Sequence, residues 1–93
     1  MHKVVILPSF KHSVKKLTIQ ERERLAKSLE IFNTFLATTQ TPSGFRVKKI
    51  NYDKYEFRVD LRLRVIAKKE ADIFYLVLVG SHDEIRRYLR NFR

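Results

Sequence analysis

The chain has 93 residues and no cysteine, with 20 Lys and Arg against 10 Asp and Glu, a formal net charge of +10. Without thiols it has neither disulfides nor thiolate chemistry. Its apolar runs, Val4–Leu7 and Ile73–Val79, are too short for a signal peptide's hydrophobic region or a bilayer span. What remains is a single domain over residues 1–93, expected to be soluble and cytoplasmic, with no membrane partner. Its positive field favours polyanions: nucleic acid, a ribosome or an acidic protein.

Lys3–Leu7 reads as a β-branched first strand closed by Pro8. Ser9 is expected to cap a short helix with Phe10, Val14 and Leu17 on one side. Thr18-Ile-Gln-Glu21 has the form of a capping box, and the helix it opens carries Leu25, Leu29, Phe32 and Leu36 at i, i+4, i+7 and i+11. Thr38 to Thr41 weaken that helix, and Thr41-Pro-Ser-Gly44 is a turn. Phe45–Ile50 is a candidate strand, followed by a connection over Asn51–Lys54.

From Tyr55 the pattern becomes strict. Tyr55, Phe57, Val59, Leu61, Leu63 and Val65 are apolar, whereas Glu56, Arg58, Asp60, Arg62 and Arg64 are charged. Period two means extended chain with one face on a core and one face wet. The run is too long for one strand, so a turn is expected near Asp60-Leu61-Arg62. Lys68–Asp72 reads as a hairpin loop, Ile73–Val79 as a central strand buried on both faces and ended by Gly80, and Ser81-His-Asp-Glu84 as a second capping box. The closing helix places Ile85, Leu89 and Phe92 on its apolar side and Arg86, Arg87, Arg90 and Arg93 mostly away from it.

This order predicts an α+β fold: a small antiparallel sheet with two N-terminal helices packed on it and a short C-terminal helix, the helices gathered on one face. The wet face of the Tyr55 stretch is either solvated surface or a site for an anion. His2, His12 and His82 have no metal-ligand spacing, and glycine-rich phosphate loops are missing, so neither a metal nor another cofactor is expected.

The segments Gly44-Phe-Arg-Val-Lys-Lys-Ile50, Tyr55-Glu-Phe-Arg-Val59, Leu63-Arg-Val-Ile66 and Gly80-Ser-His-Asp-Glu84, in this order around an apolar strand, resemble the RelE/ParE superfamily of toxins from type II toxin–antitoxin systems. The resemblance covers residues 44 to the end by motif and the first half by element order. For the RelE-like branch it implies a ribosome-dependent mRNA endoribonuclease acting without metal, in which a ribose 2′-hydroxyl attacks the adjacent phosphate. It also implies a cognate antitoxin, with operator DNA bound only by the toxin–antitoxin complex. Carried over by position, Arg58, Arg64, His82 and Tyr88 are the catalytic candidates, while Lys48, Lys49 and Arg62 are the RNA-binding candidates. Each has a plainer role: strand surface for the arginines, an exposed first-turn residue for His82, packing for Tyr88, and pairing with Arg58 or Arg64 for Glu56. Leu63 and Arg86 stand where the family frequently has aromatics. The ParE-like branch, which inhibits DNA gyrase, a catalytically silent relative, and a general nucleic-acid-binding domain are the alternative readings.

Overall fold

The computed structural model describes residues 2–40 and 42–91. In chain order the elements are β1 (Lys3–Ile6), α1 (Pro8–Val14), α2 (Ile19–Thr38), β2 (Val47–Lys49), β3 (Lys54–Arg58), β4 (Leu63–Glu70), β5 (Ile73–Ser81) and α3 (His82–Asn91). One five-stranded sheet runs β1-β5-β4-β3-β2. The pairs from β2 to β5 are antiparallel, as sequential strands with short connections require. Strand β1 adds in parallel to β5, from Lys3 opposite Ile73 to Ile6 opposite Leu76, so the sheet is mixed at that edge.

Helices α1 and α2 cover one face. Phe10, Leu25 and Phe32 meet Phe57, Val65, Ala67, Phe74, Leu76 and Val79 there. Phe32 is the centre of this core: it is fully buried, stacked on Phe57 at 4.7 Å and edge-on to Phe74 at 5.4 Å between ring centroids. The expectation that all helices share one face is corrected for α3, whose Ile85, Tyr88 and Leu89 pack with Ile66 and Val77 on the other side. The alternating side chains of β4 supply both cores, Val65 and Ala67 to one and Ile66 to the other.

A β-bulge between Ile66 and Ala67 leaves Val77 as the extra residue of β5. Just there β1 has ended, and α1 takes over the strand's edge: Ser9 Oγ donates to the Val77 carbonyl at 2.7 Å, and Ser13 Oγ accepts from the Val79 amide at 3.1 Å. Ser9 is therefore not the helix cap. Leu7 occupies that position without a side-chain hydrogen bond, and Pro8 stands at the first helical position, where its missing N–H costs nothing.

The other punctuation follows the sequence closely. Thr18 and Glu21 form the capping box, and α2 runs to Thr38 before Thr39 stops it in the left-handed region at φ 59°. Of the expected turn at 41–44, Thr41 lies outside the described residues, and the Phe45 amide donates to the Pro42 carbonyl at 3.2 Å. Arg93 and Phe92, expected in the last helix, also lie outside them. Asp60 makes the β3–β4 turn by accepting from the amides of Arg62 and Leu63, both at 2.8 Å. Burial raises its carboxyl, but those amides together with Arg24 outweigh that and hold it below the ordinary range. The hairpin loop is shorter than expected, because β4 continues to Glu70 and only Ala71 and Asp72 turn.

Strand β5 extends through Gly80 to Ser81, and α3 starts at once. The Ser81 amide donates to Glu84 Oε1 at 2.9 Å and the Glu84 amide to Ser81 Oγ at 3.3 Å. A Cβ on Gly80 would come within 3.0 Å of Glu84 Oε1, so the glycine makes room for the cap. The Ser81 amide bond holds the Glu84 carboxyl below its ordinary value of 4.5; burial opposes this, and the Ser81 hydroxyl, Lys16 and Arg87 assist. A lowered folded pKa contributes stability above the unfolded value and loses it as pH falls. Wild-type stability relative to Glu84→Gln is therefore expected to be greatest near neutral pH and to shrink as pH drops through about 4.5, read from urea melts at several pH values.

Candidate active site

Pleating sends alternate side chains of β2, β3 and β4 to the α3 face, and there the charged half of the Tyr55 pattern collects. Arg46, Lys48, Glu56, Arg58 and Arg64, with Gly44 and Phe57, line an open cleft of about 370 Å³. Arg58 and Arg64 are direct cross-strand partners, an arrangement of like charges that disfavours pairing. Only one carboxylate lines the cleft: Glu56 Oε1, which is 3.7 Å from Arg64 Nη1. The Arg64 Nε is buried without a hydrogen-bond partner. Opposed arginines and an orphaned donor do not favour folding, which makes this face a candidate site for an anion.

His82 opens α3 and lines an adjoining hollow of about 240 Å³ with Lys48, Ile50, Glu56, Ile85, Arg86 and Leu89. Lys48 and Glu56 belong to both depressions, so the imidazole stands beside the guanidinium cluster. Its Nε2 is 3.2 Å from Arg86 Nη2, one helical turn on. A guanidinium only donates, so in this contact Nε2 is the acceptor.

Of the sequence candidates, the structure brings Lys48, Arg58, Arg64 and His82 together. It sets three apart. Lys49 pairs with Tyr55, and the pleat turns it to the α2 face. Arg62, on the turn, lines a different hollow with Lys16, Glu21 and Glu84. Tyr88 is half-buried against the Ile66, Val77 and Ile85 cluster and interacts electrostatically with Lys68.

No protein-family model and no curated protein sequence matches the chain. Solved structures do. A chain of the RelB–RelE antitoxin–toxin complex from Methanococcus jannaschii superposes with a TM-score of 0.67 at 16% identity, covering 90% of this chain and 96% of that one. YafQ from E. coli gives 0.65 at 14% identity, covering 91% and 98%. The E. coli DinJ–YafQ complex gives 0.66 at 16%, with the same coverage. The chain has the fold of the RelE and YafQ toxins.

Within this RelE-type fold the sequence missed one residue of the cleft and one of the adjoining hollow. Arg46 precedes β2 and shares the parity of Lys48, a signal that was available once the strand's register was fixed. Arg86 follows His82 by four residues on a helix, a spacing that always brings two side chains together. Among the described residues, no cluster of three or more His, Cys, Asp or Glu side chains could hold a metal ion, and no helix is long and apolar enough to cross a membrane.

Proposed function

We propose that this protein is the toxin of a type II toxin–antitoxin pair and cleaves mRNA in the ribosomal A site. The observation that carries the reading is the cluster of Arg46, Lys48, Arg58 and Arg64 around a single carboxylate, with His82 in the adjoining hollow. RNA transesterification needs that combination. The ribose 2′-hydroxyl loses its proton and its oxygen attacks the neighbouring phosphorus. The bond to the 5′-oxygen breaks, and that oxygen leaves with a proton. A 2′,3′-cyclic phosphate and a 5′-hydroxyl result.

Arg58 and Arg64 supply charge and N–H donors to the phosphorane oxygens, as guanidinium forks do for phosphate. Glu56 orients Arg64 through its 3.7 Å contact. Solvent water takes the 2′-hydroxyl proton. His82, its Nε2 released once Arg86 turns from the imidazole to the phosphate, a stronger acceptor, picks up a solvent proton there and passes it to the leaving oxygen. Since cations of the chain meet the developing charge, the chemistry needs no metal. The antitoxin is then an acidic partner that covers or displaces this face, and operator DNA is bound only by the toxin–antitoxin complex. Related solved complexes are of toxin with antitoxin.

Primer extension on an mRNA in a purified translation system tests the reading. Cleavage within the A-site codon that requires ribosomes supports it. Cleavage of free RNA would remove the ribosome from the proposal. An intact message with folded, antitoxin-free protein would favour a gyrase-directed toxin or a silent binder. The steering cation is also open to measurement. Lys48→Ala is expected to weaken ribosome binding and flatten its salt dependence by about one unit of log–log slope, while Lys49→Ala, on the other face, has a much smaller effect.

A further inference from the structure

A second hollow adjoins the cleft round the end of β3. It measures about 300 Å³, is formed between α2 and the approach to β2, and shares Gly44 and Arg58 with the cleft. Ile31, Phe45 and Val59 give it an apolar floor, and Arg24, Lys27 and Arg58 stand round it. This combination of apolar surface and cationic rim is what single-stranded nucleic acid requires: a face for a base and charges that follow the backbone. We propose that this hollow is a nucleotide subsite, holding a base of single-stranded RNA on Ile31, Phe45 and Val59 and the neighbouring phosphates on Lys27 and Arg24. The assignment rests on the proposed RNA-cleaving function and extends its substrate by nucleotides to one side of the scissile phosphate.

The surrounding contacts fit this use. Arg24 Nη1 is 3.2 Å from Asp60 Oδ2, which fixes the guanidinium at the rim while most of its five N–H donors remain for a phosphate. Asp60 is the acidic neighbour of the rim, and its other oxygen is taken by the turn amides of Arg62 and Leu63. Arg24, Ser28 and Ile31 lie at i, i+4 and i+7 on α2, so one stripe of that helix faces the hollow. Arg58 stands in both depressions, and a strand lying in the cleft reaches the second hollow by passing that one residue. The volume suits a single nucleotide and is at the small end for ligand clefts.

The test uses the full chain, without ribosomes, and two probes that cannot be cleaved: fluorescent 2′-O-methyl hexauridylate and the corresponding dinucleotide, followed by anisotropy at low salt. Lys27→Gln is expected to weaken the hexamer several-fold and to lower its log–log salt slope by about 0.7, leaving the dinucleotide unchanged. Lys27→Glu weakens the hexamer further. Lys3→Glu, an equal charge change on the far edge strand, is expected to have much less effect. The subsite is overturned if wild-type protein does not bind the hexamer, if Lys27→Gln binds it as wild type does, or if Lys3→Glu is as damaging as Lys27→Glu. Since the probes lack a scissile hydroxyl, absence of mRNA cleavage would refute the proposed activity and leave these outcomes standing.

Discussion

His82→Ala is expected to slow A-site cleavage by about 10²–10⁴-fold, the usual contribution of a positioned proton donor or acceptor, and to abolish growth arrest on expression. Thermal stability should hardly change. His82 is exposed, and its side-chain contact is the 3.2 Å approach of Arg86 on the same helix. The cap of α3 belongs to Ser81 and Glu84, so the helix start survives. An exposed substitution of this kind ordinarily shifts stability by no more than about 0.5 kcal/mol. Single-turnover cleavage on programmed ribosomes, with a melting curve beside it, separates lost chemistry from lost fold. A His82→Ala protein that cleaves at the wild-type rate removes the imidazole from the mechanism and leaves the arginines to account for it.

The largest stability effect is expected at the opposite face. Phe32→Ala should cost about 3–5 kcal/mol, because it opens a cavity at the contact of α2 with β3 and β5 and removes two aromatic contacts at once. At about 0.05–0.15 kcal/mol per residue, a chain of this length has roughly 5–15 kcal/mol in total, so the variant sits near the limit of folding. Urea denaturation should show a lower midpoint with an unchanged slope. A loss under about 1 kcal/mol would mean that the Phe57 and Phe74 rings close the space, and that the core is far more plastic than its packing suggests.

The sequence displayed the sheet and the charged face because both depend on a local period. Tyr55, Phe57 and Val65 turn inward, and Glu56, Arg58 and Arg64 collect opposite them, by pleating alone. Capping boxes are equally local, and both formed where Thr18–Glu21 and Ser81–Glu84 place them. What escaped depends on partners distant in the chain. The pairing of β1 with β5 cannot be read from Lys3–Ile6, nor can the use of Ser9 and Ser13 as edge partners of Val77 and Val79. The side of the sheet taken by α3 follows from Ile66, which alternation in β4 turns away from the α2 core, and from Val77, whose facing is set by the bulge in β5. Lys48 and Lys49 looked equivalent as neighbours in sequence, yet adjacent positions on a strand belong to opposite faces.

The register of β1 has a consequence for the order in which this protein can be built. Lys3 meets Ile73, a separation of 70 residues, so the first strand made has no partner until most of the chain exists. The hairpins β2–β3, β3–β4 and β4–β5 close over short spans and can form early, whereas docking β1 must bear the entropy of the longest loop in the sheet. In the interval β5 is an open edge, with the apolar run Ile73–Val79 and its unpaired amides exposed to any other strand. Folding is thus slowest, and self-association most threatening, at the step that joins the two ends of the molecule, well away from the cleft where its chemistry is proposed to occur.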